Sequence, residues 1–158
     1  MITLALVAAL SLPPQDSGQW RLIGMGGNII FGADAGSVRR NGDTASITGV
    51  LVYSEGPQGA AWAITHNSFD CTTRTAHVGS FKLHAADGSL IRAYNLDSTA
   101  DLGGPNSVME RQFVAACEDQ RDFGTVEDTD LPGFIGWSQD LIDEGILDAL
   151  ARRSAGEP

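Results

Sequence analysis

At 158 residues and 42% apolar, the chain is long enough for one domain with tail segments, and its composition excludes wholesale disorder. Its formal net charge of −10 is uneven, with 9 acidic and 7 basic side chains over 1–117 against 11 and 3 over 118–158. A near-neutral body with an acidic end gives no basic footprint for nucleic acid or for an anionic membrane surface.

The chain opens on an apolar run, Ile2 to Leu12, closed by Pro13-Pro14. The run is too short to span a bilayer as a helix and matches the core of an export signal, with the small residues Ala9 and Ser11 near a cleavage point. No Lys or Arg precedes it, and no cysteine follows it to carry a lipid. The alternative is a buried N-terminal strand or helix. Residues 15–19 form a polar linker, which makes 1–19 a leader segment, 20–120 an α+β domain and 121–158 an acidic tail.

Trp20 to Met25 reads as a strand, broken by glycines at 24, 26 and 27, and Asn28 to Ala33 reads as the next. These glycines make a tight turn. Ile29 stands where a dinucleotide fingerprint requires its third glycine. Asp34 to Ser37 reads as a turn and Ser37 to Arg40 as a short strand. Asn41-Gly42-Asp43 is a hairpin signal, since Asn and Gly tolerate positive φ. Thr44 to Ser54 is β-branched and apolar on both alternations, as a central strand should be. Residues 56–59 turn the chain. Ala60 to Cys71 and Thr72 to Ala85 read as long strands, Ala86-Asp87-Gly88 as a hairpin turn and Leu90 to Asn95 as the returning strand. A period of two places Asp70, Thr72 and Arg74 on one face, where Asp70 and Arg74 can approach each other.

Leu96 to Asn106 reads as a loop. A helix follows: Ser107 is its N-cap, Glu110 completes a capping box, and Met109, Phe113, Ala116 and Cys117 share one face. Residues 118–130 read as an acidic linker and 131–137 as an apolar turn region. Ser138 to Arg153 reads as a second helix with a stripe of Leu141, Ile142, Ile146, Leu147 and Leu150. Its early Asp140 and Asp143 and late Arg152 and Arg153 suit the helix dipole. The fold class expected is α+β: an antiparallel meander, one helix packed on it and a C-terminal tail helix.

Cys71 and Cys117 are the chain's two cysteines. They fit one disulfide in an oxidising compartment, stapling helix to sheet; the alternative is two buried free thiols in a cytosolic protein.

The ordered set of Trp20, Phe31, Asp34, Ser37-Val38-Arg39-Arg40, Gly42-Asp43, Asp70-Cys71 with Arg74, Asp87-Gly88, Pro105-Asn106-Ser107 and Cys117 resembles the surface-adhesin protein E family of Gram-negative bacteria. The resemblance covers residues 20–117. It implies an exported protein, periplasmic or on the cell surface, with a helix tied to an antiparallel sheet by one disulfide. It also implies a non-enzymatic, adhesin-like role with a protein partner in the envelope or host matrix. The chain departs from the family pattern in carrying Tyr53 where an aromatic is expected earlier in its strand, Phe81 in place of a Tyr, no lipid-bearing cysteine, and a tail from Glu118.

Candidate functional residues are sparse. His66, His77 and His84 have no metal-helix spacing, and no cysteine pair has a zinc spacing. No motif calls for a cofactor or a metal. There is no Gly-x-Ser-x-Gly elbow. Asp34, Arg39, Arg40, Asp70 and Arg74 form a candidate charged cluster, either a salt-bridge network under the hairpin or an exposed binding surface. Trp62 and Trp137 are candidate interface anchors. An open sheet edge offers pairing with a second copy. The alternative function is a periplasmic small-ligand binder or enzyme with a cleft built from the histidines and Asp70.

Overall fold

The computed structural model describes residues 19–118 and 129–155; the apolar run at 2–12 and most of the acidic linker lie outside them. Six strands follow one another in sequence order, each antiparallel to the next: β1 (Trp20–Gly26), β2 (Ile29–Asn41), β3 (Thr44–Tyr53), β4 (Trp62–Asp70), β5 (Thr75–His84) and β6 (Leu90–Asp101). The expected meander is therefore the fold. The Asn41-Gly42 turn works as its residues require, with Gly42 at φ +59° and Asn41 paired with Thr44.

Helices cover both faces. α1 (Val108–Cys117) packs on one, where Ala45, Ile47, Phe69 and Ala76 meet Phe113 and Ala116. α2 (Leu131–Asp143) and α3 (Ile146–Ser154) pack on the other, where Trp20, Ile30, Val50 and Val52 meet Phe134 and Leu147. This explains the doubly apolar β3: Ala45 and Ile47 point to α1, Val50 and Val52 to α2. β4 is buried on the α1 side at Ala63, Thr65, Asn67 and Phe69 and half-buried on the other.

Five local expectations differ from the structure. The turn at 34–37 is a bulge inside β2, whose register shifts between Asp34 and Arg39. There the Asp34 carboxylate accepts the Gly36 N–H and the Ser37 hydroxyl donates to the Asp34 carbonyl. β5 begins at Thr75 because 71–74 form a turn with Arg74 at φ +55°. β6 continues past Asn95 to Asp101 by absorbing a bulge at Leu96 and Asp97. Residues 131–137 are helical: Asp130 caps α2 by accepting the Gly133 N–H at 2.8 Å, and Pro132 in the first turn costs no hydrogen bond there. Gly145, at φ +77°, then splits the single helix expected over 138–153 into α2 and α3.

Candidate functional site

α1 is fastened to the sheet at several points. Ser107 caps it, accepting the Glu110 N–H at 3.1 Å and donating to the Leu102 carbonyl. Cys71 and Cys117 are disulfide-bonded with their Cα atoms 5.6 Å apart, so the staple read from the two cysteines is present. Arg40 donates through Nε to the Ala116 carbonyl at 2.8 Å, near the helix C-terminus, where a cation suits the dipole. Arg111 donates to the Ile23 carbonyl at 2.8 Å.

Beneath the helix lies a buried polar node. Asn67 donates through Nδ2 to Gln112 Oε1 at 2.6 Å, with Thr65 beside them. Gly49 leaves the space: a Cβ there would collide with the Gln112 amide. The Asn67 Oδ1 atom is buried with no protein partner. Gln112→Leu would leave Asn67 Nδ2 with only its long contacts to the Thr65 hydroxyl at 3.5 Å and the Met109 sulfur at 3.9 Å, at a cost of about 1–3 kcal/mol. Urea unfolding should show that loss, and the double variant Asn67→Leu/Gln112→Leu should recover part of it, because an unpaired buried amide costs more than a removed pair.

Among the contacts described, the charged residues singled out in the sequence each bond to groups outside that set. Asp34 is buried in the β2 bulge, and Arg39 donates to the nearby carbonyls of Gly36 and Val38. Asp70 caps its own turn: the N–H groups of Thr73 and Thr72 hold its carboxyl below the ordinary carboxylate range. Arg74 turns away from Asp70 to Glu110 at 2.5 Å and Glu118 at 3.2 Å, with its guanidinium 4.4 Å over the Phe113 ring. The Glu110 bond raises its pKa further. Arg40 and Arg74 thus both serve α1.

All three histidines lie on the face opposite α1, in separate settings. His84 stacks on Trp62 with ring centroids 3.9 Å apart. His77 is exposed opposite Ser68. His66 bonds through Nδ1 to the Thr48 hydroxyl at 3.0 Å. Among the described residues no three His, Cys, Asp or Glu side chains come together as a metal site would need. Burial first, and Lys82 second, push the His66 pKa down. A depressed histidine binds its proton less well folded than unfolded, so stability should fall as pH drops below ~6.5. His66→Gln should flatten that part of a pH–stability curve measured by thermal melting.

The surface left open lies along β5 and β6. On the α1 side, Tyr53, Phe81 and Tyr94 stand half-buried over Ala63 and Leu83. Phe81 and Tyr94 have centroids 6.3 Å apart, Arg92 lies 5.5 Å over the Tyr94 ring, and the Gln58 amide donates to the Tyr94 hydroxyl at 2.8 Å. Burial raises the Tyr53 pKa to about 12. Three of the four exposed large apolar side chains are on β6: Leu90, Ile91 and Leu96. Sequence reasoning missed this surface. Its only signal was Arg92 and Tyr94 alternating with apolar residues in a strand. Of the two candidate anchors, Trp62 and Trp137 are both half-buried against the α2 cluster.

The model of a family described as surface-adhesin protein E matches residues 20–118. No curated protein matches the chain. Among solved structures, the chain is similar to protein E from non-typeable Haemophilus influenzae at 10% identity and a TM-score of 0.39, covering 68% of this chain and 82% of that one.

Proposed function

Taking as premise that this chain belongs to the surface-adhesin protein E family, we propose that it is a non-enzymatic exported protein of the cell envelope that works by binding another protein. The observation that carries this reading is the extent of the family match: it runs through all six strands and α1 and ends at Glu118, one residue past the disulfide. The staple supports export, since such bonds persist in oxidising compartments. We take residues 20–120 as the binding unit, 1–19 as its leader and 121–158 as an added segment.

Of the surfaces available, the uncovered half of the sheet suits a protein contact best. It combines Tyr, Phe and Arg side chains, the types that dominate binding hot spots, with an open strand edge. The edge available for pairing with a second copy is β6, because β1 bridges to Thr129 through the Trp20 N–H at 3.0 Å.

The test is retention of proteins from fractionated envelope and host-matrix extracts on the immobilised, disulfide-bonded chain. Specific retention that Tyr94→Ala weakens by tenfold or more is expected. No retained protein at any of several salt concentrations would contradict the reading.

A further inference from the structure

The chain has five asparagines, and one of them, Asn41, is followed by glycine. An asparagine amide is open to attack by the main-chain nitrogen of the next residue, and glycine, which has no Cβ, hinders that attack least. The other four are held or hindered. Asn28 donates to the Glu55 carbonyl at 2.6 Å, and Asn67 is buried and bonded to Gln112. Asn106 accepts from Arg111 at 3.1 Å, and Asn95 precedes the branched Leu96. Among the described residues the Asn41 side-chain amide has no hydrogen-bond partner; the bond made there is from the Thr44 hydroxyl to the Asn41 main-chain carbonyl, at 2.9 Å. Gly42 and Asp43 fill the turn between Asn41 and Thr44. All four residues are exposed, and nothing stands within 4 Å of where a Cβ on Gly42 would lie.

We propose that Asn41 is a self-modification site, deamidated through the Gly42 nitrogen, and that the isoaspartate formed opens the β2–β3 hairpin and loosens the hold on Cys71. In the first step the Gly42 nitrogen bonds to Asn41 Cγ. The side-chain nitrogen leaves with the Gly42 proton as ammonia, and a five-membered imide remains. Water then opens the ring at either carbonyl. Opening at Cγ gives aspartate. Opening at the main-chain carbonyl gives isoaspartate, in which the chain runs on through Cγ and the old main-chain carbonyl becomes a free carboxylate. Water is the one reagent consumed. Asp87-Gly88 has the same geometry of closure but a poorer leaving group: bonds from the Ser89 hydroxyl and N–H hold the Asp87 carboxyl below the ordinary carboxylate range, and an ionised carboxylate does not close the ring.

The consequence follows from what the hairpin carries. Isoaspartate lengthens the main chain ahead of Gly42 by one atom and takes away the carbonyl that accepts the Thr44 hydroxyl. The same turn presents the Asp43 carbonyl, which accepts the Cys71 N–H at 2.8 Å, beside the disulfide. One residue before Asn41, Arg40 reaches the Ala116 carbonyl at 2.8 Å. Two of the contacts around the C-terminal end of α1 therefore hang from the turn that the modification alters.

The test ages the disulfide-bonded full chain in mildly alkaline buffer and follows it by peptide mapping, an isoaspartyl methylation assay and amide hydrogen exchange. Conversion of amide to acid at Asn41 should run tenfold or more faster than at any of the other four asparagines, with isoaspartate among the products. The Cys71 amide of the isoaspartyl chain should exchange tenfold or more faster than that of the fresh chain, as local opening of the hairpin requires. Freshly prepared Asn41→Asp adds the carboxylate to an unaltered main chain and should keep the slow exchange. Conversion at Asn41 no faster than at the other asparagines would overturn the proposal, because the hairpin then holds the amide out of reach. An isoaspartyl chain with its Cys71 amide as protected as before would overturn it too. So would an Asn41→Asp variant that exchanges as fast as the isoaspartyl chain, which would assign the effect to charge alone.

Discussion

Cys117→Ser should lower the unfolding free energy by about 4 kcal/mol, the loop-closure stabilisation for cysteines 46 residues apart. That is a large share of the ~5–15 kcal/mol typical of a domain. The disulfide joins the 71–74 turn to the last residue of α1, so its loss frees the C-terminal end of the helix first. The Arg40 and Arg74 contacts remain but cannot replace it. Arg74 is largely exposed, and exposed ion pairs contribute about 0–1 kcal/mol. Denaturant unfolding measures the effect, with the m-value fitted separately for each form because the unfolded chain without the disulfide exposes more surface; a loss below about 1 kcal/mol would mean that burial of Phe113 and Ala116 alone holds α1.

Phe134→Ala should cost a similar amount, about 3–5 kcal/mol, and through a different layer. The Phe134 ring is fully buried, lies 6.4 Å from the Trp20 ring and 5.8 Å from that of Trp137, and fills the slot left by Gly32. A Cβ at Gly32 would stand 2.5 Å from the ring and 2.9 Å from Val50. Gly32→Val should therefore destabilise the same layer from the sheet side. In both variants Trp20 and Trp137 gain solvent, so their emission should shift to longer wavelength before the global transition. An unchanged emission together with a loss below about 1 kcal/mol would mean that α2 does not dock on the sheet in solution.

The features legible in the sequence are those whose cause is local. Asn41-Gly42 sets a hairpin through positive φ, Ser107 sets a helix start through its hydroxyl, and the doubly apolar β3 announces cover on both faces. The two cysteines gave the staple because the chain holds no other pair. What was misread depends on residues far apart. Arg74 was matched with Asp70 by a period of two, but the 71–74 turn reverses it toward Glu110 and Glu118, 36 and 44 residues away. Leu131-Pro132-Gly133 looks like a breaker until Asp130 is seen to cap the helix that starts there. The aromatic surface of Tyr53, Phe81 and Tyr94 comes from three strands, and the alternation of Arg92 and Tyr94 with apolar residues in β6 is its one local sign.

The exported, protein-binding role stands most directly on the compartment in which Cys71 and Cys117 meet. The deciding measurement is the intact mass of the protein recovered from the cells that make it, alkylated with and without prior reduction. No alkyl group before reduction and two after it are expected. Two alkyl groups without reduction would place the chain in a reducing compartment, and the exported, surface-binding role would fall with the staple.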